Sequence, residues 1–213
     1  VDFEGVTLRV KDVSTIGNGY LIASVFTGGV LGKNKAVNID TVSELDVYDV
    51  VVIGSNGWYN WKDYSTFDNA LETWVNNGGG VVATGSIVSE VSSFFWEEGI
   101  TNILPVQTGG SGTTYSYGVN NLNSGHQVTQ GVNNFVTTYS STCPLSSFTK
   151  PGTTTLGYCS GSSSSGNPAV IVWNVGSGRV VYLSPEYMQE SFPDLRSGEA
   201  DQLLEQAVKW ASG

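Results

Sequence analysis

The segment Gly78-Gly79-Gly80-Val81-Val82-Ala83-Thr84-Gly85-Ser86 constrains this chain more than any other. Three glycines, an apolar run and a polar turn describe a buried strand that ends in a tight bend, an arrangement that displays a side chain above a parallel sheet. The residues before it carry a helical period. Phe67, Ala70, Leu71, Trp74 and Val75 fall at i, i+3, i+4, i+7 and i+8, which is one helix face. Ser65 or Thr66 suits the start of that helix and Asn77-Gly78 its end. A second strand, Val180 to Leu183, delivers Ser184-Pro185-Glu186 to its carboxyl end, where open α/β sheets hold their sites.

Other elements follow from the same periodicities. Val50 to Ile53 is a continuous apolar run after a turn signal, so it reads as a strand covered on both faces. Val6 to Val10 and Ala36 to Ile39 read as strands, Tyr20 to Phe26 as helical between them, and Val88 to Phe95 as a short helix. Leu104 to Val106, Tyr115 to Val119, Phe135 to Thr138 and Thr154 to Tyr158 read as shorter strands joined by glycine-rich turns. Ala169 to Val175 and Arg179 to Ser184 form a hairpin across Gly176-Ser177-Gly178. The last helix places Leu203, Leu204, Ala207, Val208 and Ala211 on one face, with Glu199 and Asp201 near its electropositive start. Residues 160–166 are a Ser/Gly-rich surface loop.

Five stretches, in this order, resemble the class I glutamine amidotransferase-like superfamily, and within it the ThuA-like (trehalose-utilisation) branch. They are Leu45 to Gly54, the triple-glycine strand, His126-Gln127-Val128-Thr129-Gln130-Gly131-Val132, Gly176 to Tyr182, and Leu203 to Ala211. The resemblance implies an α/β fold: a flavodoxin-like open sheet, mostly parallel, with helices on both faces and extra β-hairpins in the C-terminal half, over residues 1–213 as a single domain. A chain of this length buries roughly 70% of its unfolded surface, enough for a sizeable core. In true amidotransferases the first turn carries a catalytic Cys and the late strand ends in His-Pro-Glu. Here the first turn offers Thr84, Gly85 and Ser86, and the second reads Ser184-Pro185-Glu186. Only Glu186 has a counterpart in that triad. Gly85 takes the place of the His that ThuA-like members often carry there.

Charge excludes several partners. Nine Lys+Arg against 19 Asp+Glu leave a net charge of −10, which repels phosphate backbones and anionic lipid surfaces, so nucleic acid is not expected. No apolar run approaches the ~20 residues that span a bilayer, and no charged-then-apolar leader opens the sequence, so no membrane insertion is expected. The only cysteines, Cys143 and Cys159, bracket a segment rich in Pro, Gly, Ser and Thr. They read as a disulfide staple on a loop, worth on the order of 3 kcal/mol in the chain-entropy model, and they place the chain outside the cell or at its surface. Two free buried thiols are the rival reading. With one histidine besides, the set falls short of structural zinc, and neither metal nor cofactor is expected.

The candidate chemistry is sparse, and each residue has a structural alternative. Ser86 stands where an elbow would present a nucleophile, or caps a helix beginning at Ile87. His126, the sole histidine, is a candidate general base, or fixes a turn. Glu186 is a ligand-facing carboxylate, or is solvated or paired with Arg179 or Arg196. Trp58, Tyr59, Trp61 and Tyr64 follow the Val50 strand at the ligand-binding edge, where flat rings among amides and hydroxyls suit a sugar or a protein partner. Their alternative is core packing, as for Phe94, Phe95 and Trp96.

Three functions are consistent with these residues. The first is a non-catalytic amidotransferase-like domain serving as an extracellular interaction or assembly module, with a protein partner or self-assembly. The alternative is a carbohydrate-binding or carbohydrate-processing protein of ThuA-like type. The third is a hydrolase with a rebuilt Ser86, His126 and Glu186 site, which requires Ser86 Oγ and a His126 nitrogen about 2.6–3.2 Å apart.

Overall fold

An apolar run without polar alternation needs cover on both of its faces, and the strand Val50–Ser55 (β4) has it. Val51 and Ile53 face one layer of helices, while Val50 and Val52 face another. The computed structural model describes residues 2–3, 6–7, 22–27, 41–55, 65–88, 98–107, 113–161, 165–187 and 197–213. In chain order the elements are β1 (Asp2–Phe3), β2 (Val6–Thr7), β3 (Ile22–Thr27), α1 (Val42–Leu45), β4, α2 (Ser65–Asn76), β5 (Gly80–Thr84), α3 (Glu98–Ile103), β6 (Thr113–Asn120), β7 (Phe135–Pro144), a 3₁₀ turn (Ser146–Phe148), β8 (Thr154–Cys159), β9 (Pro168–Val175), β10 (Gly178–Leu183) and α4 (Gly198–Ala211).

β1 and β2 make a small antiparallel ladder, and the other strands form one sheet in the order β3-β4-β5-β10-β9-β8-β6-β7. β3, β4, β5 and β10 run parallel. From β10 outward the neighbours β9, β8, β6 and β7 are antiparallel to one another in turn. The sheet is therefore mixed, and the expected mostly parallel, flavodoxin-like sheet is corrected. The reason lies in the connections: Gly176 and Ser177 join β9 to β10 directly, and a two-residue link can only reverse a strand, whereas a parallel neighbour needs a long crossover. Helices do cover both faces. Phe67, Leu71 and Val75 of α2 and Ile100 and Ile103 of α3 pack on Val81, Ala83, Val180 and Tyr182, while Leu203, Ala207 and Val208 of α4 pack on Val82, Val181 and Leu183.

Several element expectations change. Residues 22–27 are a strand parallel to β4 rather than a helix. Apolar runs this short carry too little periodicity to separate the two, and pairing with β4 decides. Val106 makes a single bridge to Thr149 instead of a strand over 104–106. β7 is longer than expected and carries Cys143, and β8 carries Cys159, so the two thiols sit on strands rather than in a loop. The expected strand at 36–39 and the helix beyond Val88 lie outside the described residues, as do residues 162–164 of the 160–166 loop.

Cys143 and Cys159 are joined, with Cα atoms 6.4 Å apart, and both are fully buried against the α4 layer. Their pairings expose how far the sheet bends. Cys143 lies opposite Thr114 and Cys159 opposite Val119. Five residues along β6 would span about 16 Å in a flat sheet, so the observed separation requires the antiparallel half to curl into a half-barrel. The curl also lets β7 reach back across the sheet, where the Thr142 amide donates to Ser184 O at 3.0 Å. A Cys143→Ser/Cys159→Ser double variant should lose about 3 kcal/mol in urea unfolding, the chain-entropy value for a loop of this size. Protein unfolded in urea without reductant should show no thiol to an alkylating reagent, and two reactive thiols would contradict the bond.

Candidate functional site

β5 and β10 lie side by side and parallel, with Leu183 opposite Thr84, so the two polar turns that follow them share one edge of the sheet. At the first turn the backbone reaches φ +59° at Gly85, a left-handed conformation that costs other L-residues roughly 1–2 kcal/mol. The Gly85 amide donates to Leu183 O at 2.9 Å and ties the two turns together. Ser86 follows, half-buried, and its hydroxyl donates to Glu186 Oε1. Thr142 of β7 donates to the same oxygen at 3.1 Å. Beneath them the buried Tyr182 hydroxyl lies 2.6 Å from Thr142 O and 2.9 Å from Gly85 O, sharing its proton between the two carbonyls. The ends of β5, β7 and β10 thus converge on one carboxyl group.

That carboxyl is 5% exposed, and its Oε2 has no hydrogen-bond partner among the described residues. Burial pushes its pKa up to about 7, against the donors from Ser86 and Thr142 that pull it down. The Tyr182 phenol is held well above its ordinary value, by its own burial first and by the adjacent Glu186 charge second. Space explains the glycine as much as conformation does. A Cβ on Gly85 would stand 1.9 Å from Glu186 Oε2 and 2.2 Å from its Cδ, so the carboxyl fills the volume in which an elbow residue would carry its side chain.

His126 is elsewhere. It sits in the turn between β6 and β7, where its Nδ1 accepts from the Val128 amide at 3.2 Å, and burial lowers its pKa. Its ring lies 5.4 Å from that of Trp210, near the end of α4. Arg179, at the start of β10, donates to Trp210 O at 2.9 Å, and its guanidinium lies 5.4 Å from the centre of the Trp210 ring. At the opposite end of α4, Tyr187 donates to Ala200 O at 2.7 Å, directly after Glu186 in the chain. Ten residues of helix, about 15 Å, separate Ala200 from Trp210. Ser86 and Glu186 meet at the carboxyl edge of the sheet and His126 stands toward the amino edge. The Ser86, His126 and Glu186 constellation therefore does not assemble, and Glu186 is neither solvated nor paired with Arg179.

The stacking candidates Trp58, Tyr59, Trp61 and Tyr64 lie outside the described residues, as do Phe94, Phe95, Trp96 and Arg196. Among the described residues no group of three or more His, Cys, Asp or Glu could hold a metal. Sequence reasoning missed Thr142 and Tyr182. Thr142 had one usable signal, its position beside the stapled Cys143, and Tyr182 had one in being the polar-tipped aromatic of an otherwise aliphatic strand.

No family model matches the chain, and no curated protein matches its sequence. Solved structures do. A cytoplasmic protein from Salmonella typhimurium superposes with a TM-score of 0.63 at 13% identity over 81% of this chain and 75% of its own. A putative ThuA-like protein from Bacteroides uniformis gives 0.58 at 18% over 82% and 74%. Another from Parabacteroides merdae gives 0.57 at 15% over 87% and 78%. Identities this low speak for the fold alone: the chain has a ThuA-like fold.

The steric claim at the elbow is directly testable. Gly85→Ala should destabilise the protein by at least about 2 kcal/mol, the left-handed backbone cost plus the collision with Glu186. Removing the carboxyl as well, in Gly85→Ala/Glu186→Ala, should recover the collision part, so the double-mutant cycle should show a favourable coupling of about 1 kcal/mol or more. Strict additivity would mean that the carboxyl does not fill that space.

Proposed function

We propose that this chain is an amidotransferase-like pseudoenzyme that serves as an extracellular interaction or assembly module. The supporting observation is Glu186 lying in the volume that an elbow side chain would need. A covalent acyl-transfer site needs a nucleophile displayed on that turn with a base beside it. In this chain the turn carries no side chain at Gly85, the hydroxyl beside it is held by Glu186, and the sole histidine is across the sheet. The buried disulfide supports an oxidising compartment, since such bonds persist there and are rare in the cytosol. No helix among the described residues is long and apolar enough to cross a membrane. Contact with a protein partner, or with a second copy of the chain, falls to the Trp58, Tyr59, Trp61 and Tyr64 segment, because clustered aromatics between Val50–Ser55 and α2 are the apolar feature that the missing chemistry leaves unexplained.

Two measurements test the reading. Incubation with glutamine should release no ammonia above background, and release that Ser86→Ala abolishes would overturn the assignment as a pseudoenzyme. Trp58→Ala/Trp61→Ala should leave the melting temperature nearly unchanged while weakening self-association or partner capture in sedimentation and binding assays. Loss of several kcal/mol of stability instead, the cost of emptying buried Trp sites, would make these residues core. Saturable binding of a sugar that the same double variant removes would favour the carbohydrate reading over the protein one.

A further inference from the structure

The side-chain hydrogen bonds of Glu186 crowd onto one of its two oxygens. Both hydroxyl donors, from Ser86 and Thr142, meet Oε1, and Oε2 lies against Gly85 with no partner among the described residues. We propose that this cluster is a proton-gated latch: while Glu186 holds a proton it ties the ends of β5, β7 and β10 together, and losing that proton loosens the Gly85–Ser86 turn. The inference goes beyond the proposed function and stands whether or not this edge meets a partner.

The physical argument concerns Oε2. Ionised, the carboxylate keeps its donors, the Ser86 and Thr142 hydroxyls and the Ser86 amide. Part of its charge, however, lies on a buried Oε2 with no hydrogen bond among the described residues, and that part is stabilised only when water or a further donor reaches it. Oε2 is closed off from solvent and packs against Gly85, in the very space that a Cβ there would fill. Hydrating the carboxylate therefore requires the turn to move away or the side chain to swing out, and either motion breaks the contacts to Ser86 and Thr142. Protonation removes the charge and with it the demand for water. The turn is suited to such a motion, since its hinge residue is a glycine at φ +59°.

Among the described residues, the groups facing Glu186 leave it as the titrating member. From β10, Tyr182 is held neutral by burial, and the adjacent Tyr187 turns its hydroxyl to Ala200 O in α4. From β5 and its turn come Thr84, Gly85 and Ser86, and from β7 come Ser141 and Thr142, none of which ionises. With the latch closed the carboxyl titrates at about 7, and once hydrated it returns toward its ordinary 4.5. The closed state binds the proton more tightly, so the latch is fully effective below about pH 4.5 and weakens as pH rises through 7. From these two values the opening constant should rise on the order of 50-fold between pH 5 and 8.

Hydrogen exchange of the whole chain reads this out, because the amides of Gly85 and Thr142 are bonded to Leu183 O and Ser184 O across the latch. After correction for the intrinsic pH dependence, their protection should fall by roughly 50-fold from pH 5 to 8, while staying below that of the β4 amides at every pH. In Glu186→Gln, which keeps an acceptor for Ser86 and Thr142 but cannot ionise, the dependence should vanish. A flat profile in the native protein overturns the latch, and so does protection equal to that of β4 throughout, which would mean that the edge opens only with global unfolding. If the Gln variant fails to fold, Ser86→Ala decides: it removes a donor that lowers the carboxyl pKa, so the midpoint must move to higher pH, and an unmoved midpoint overturns the proposal.

Discussion

Backbone meets backbone at the amino ends of β5 and β10, and both helix layers take their positions from that contact. A Cβ on Gly80 would come 2.3 Å from Ala211 O at the end of α4, one on Gly79 would enter the Trp74 indole of α2, and one on Gly178 would lie 2.1 Å from Val75 O. Side chains at these places would push the helices off the sheet. With glycine there, α2 and α4 close on opposite faces of the same two strands, and the turn after β9 caps α2, with the Ser177 amide donating to Asn76 O at 3.0 Å. The apolar run Val81, Val82 and Ala83 can then be buried on alternating sides at no polar cost.

Rigidity at the amino end of β5 has its counterpart at the carboxyl end, where the chain gathers polar atoms in a dry place. Parallel pairing delivers Gly85 and Glu186 to the same edge, and the half-barrel curl brings Thr142 over from the far strand. The disulfide at Cys143 is one residue from Thr142, so the staple that holds the curl also holds a donor on the carboxyl. Stability and the electrostatics of the site are thus linked through one strand.

The chemistry available at that edge follows from occupancy. An elbow that presents a nucleophile needs open volume above the turn, and here the carboxyl of Glu186 lies in it. What remains is a hydroxyl and a carboxyl able to share a proton, screened from water, with a pKa of about 7. The sole histidine, His126, stands by Trp210 and not beside this pair, so it does not carry their proton onward.

Much of the parallel half was legible in the sequence. The triple glycine, the helical period of Phe67 to Val75, the hairpin over residues 169–184 and the final helix each carry a local signal that survives folding, because both faces of these elements are determined by apolar spacing alone. The paired cysteines were legible for the same reason of scarcity. The antiparallel direction of β8, β6 and β7 was not, since it depends on which strand each one finds as a neighbour, and residues 22–27 became a strand only through pairing with β4. Sequence alone singled out Ser86, Glu186 and His126 as the few candidates for chemistry. Tertiary structure decided that the first two meet and the third does not, because their separation is set by the length of α4 and the order of the strands, and neither quantity is written in any local stretch of residues.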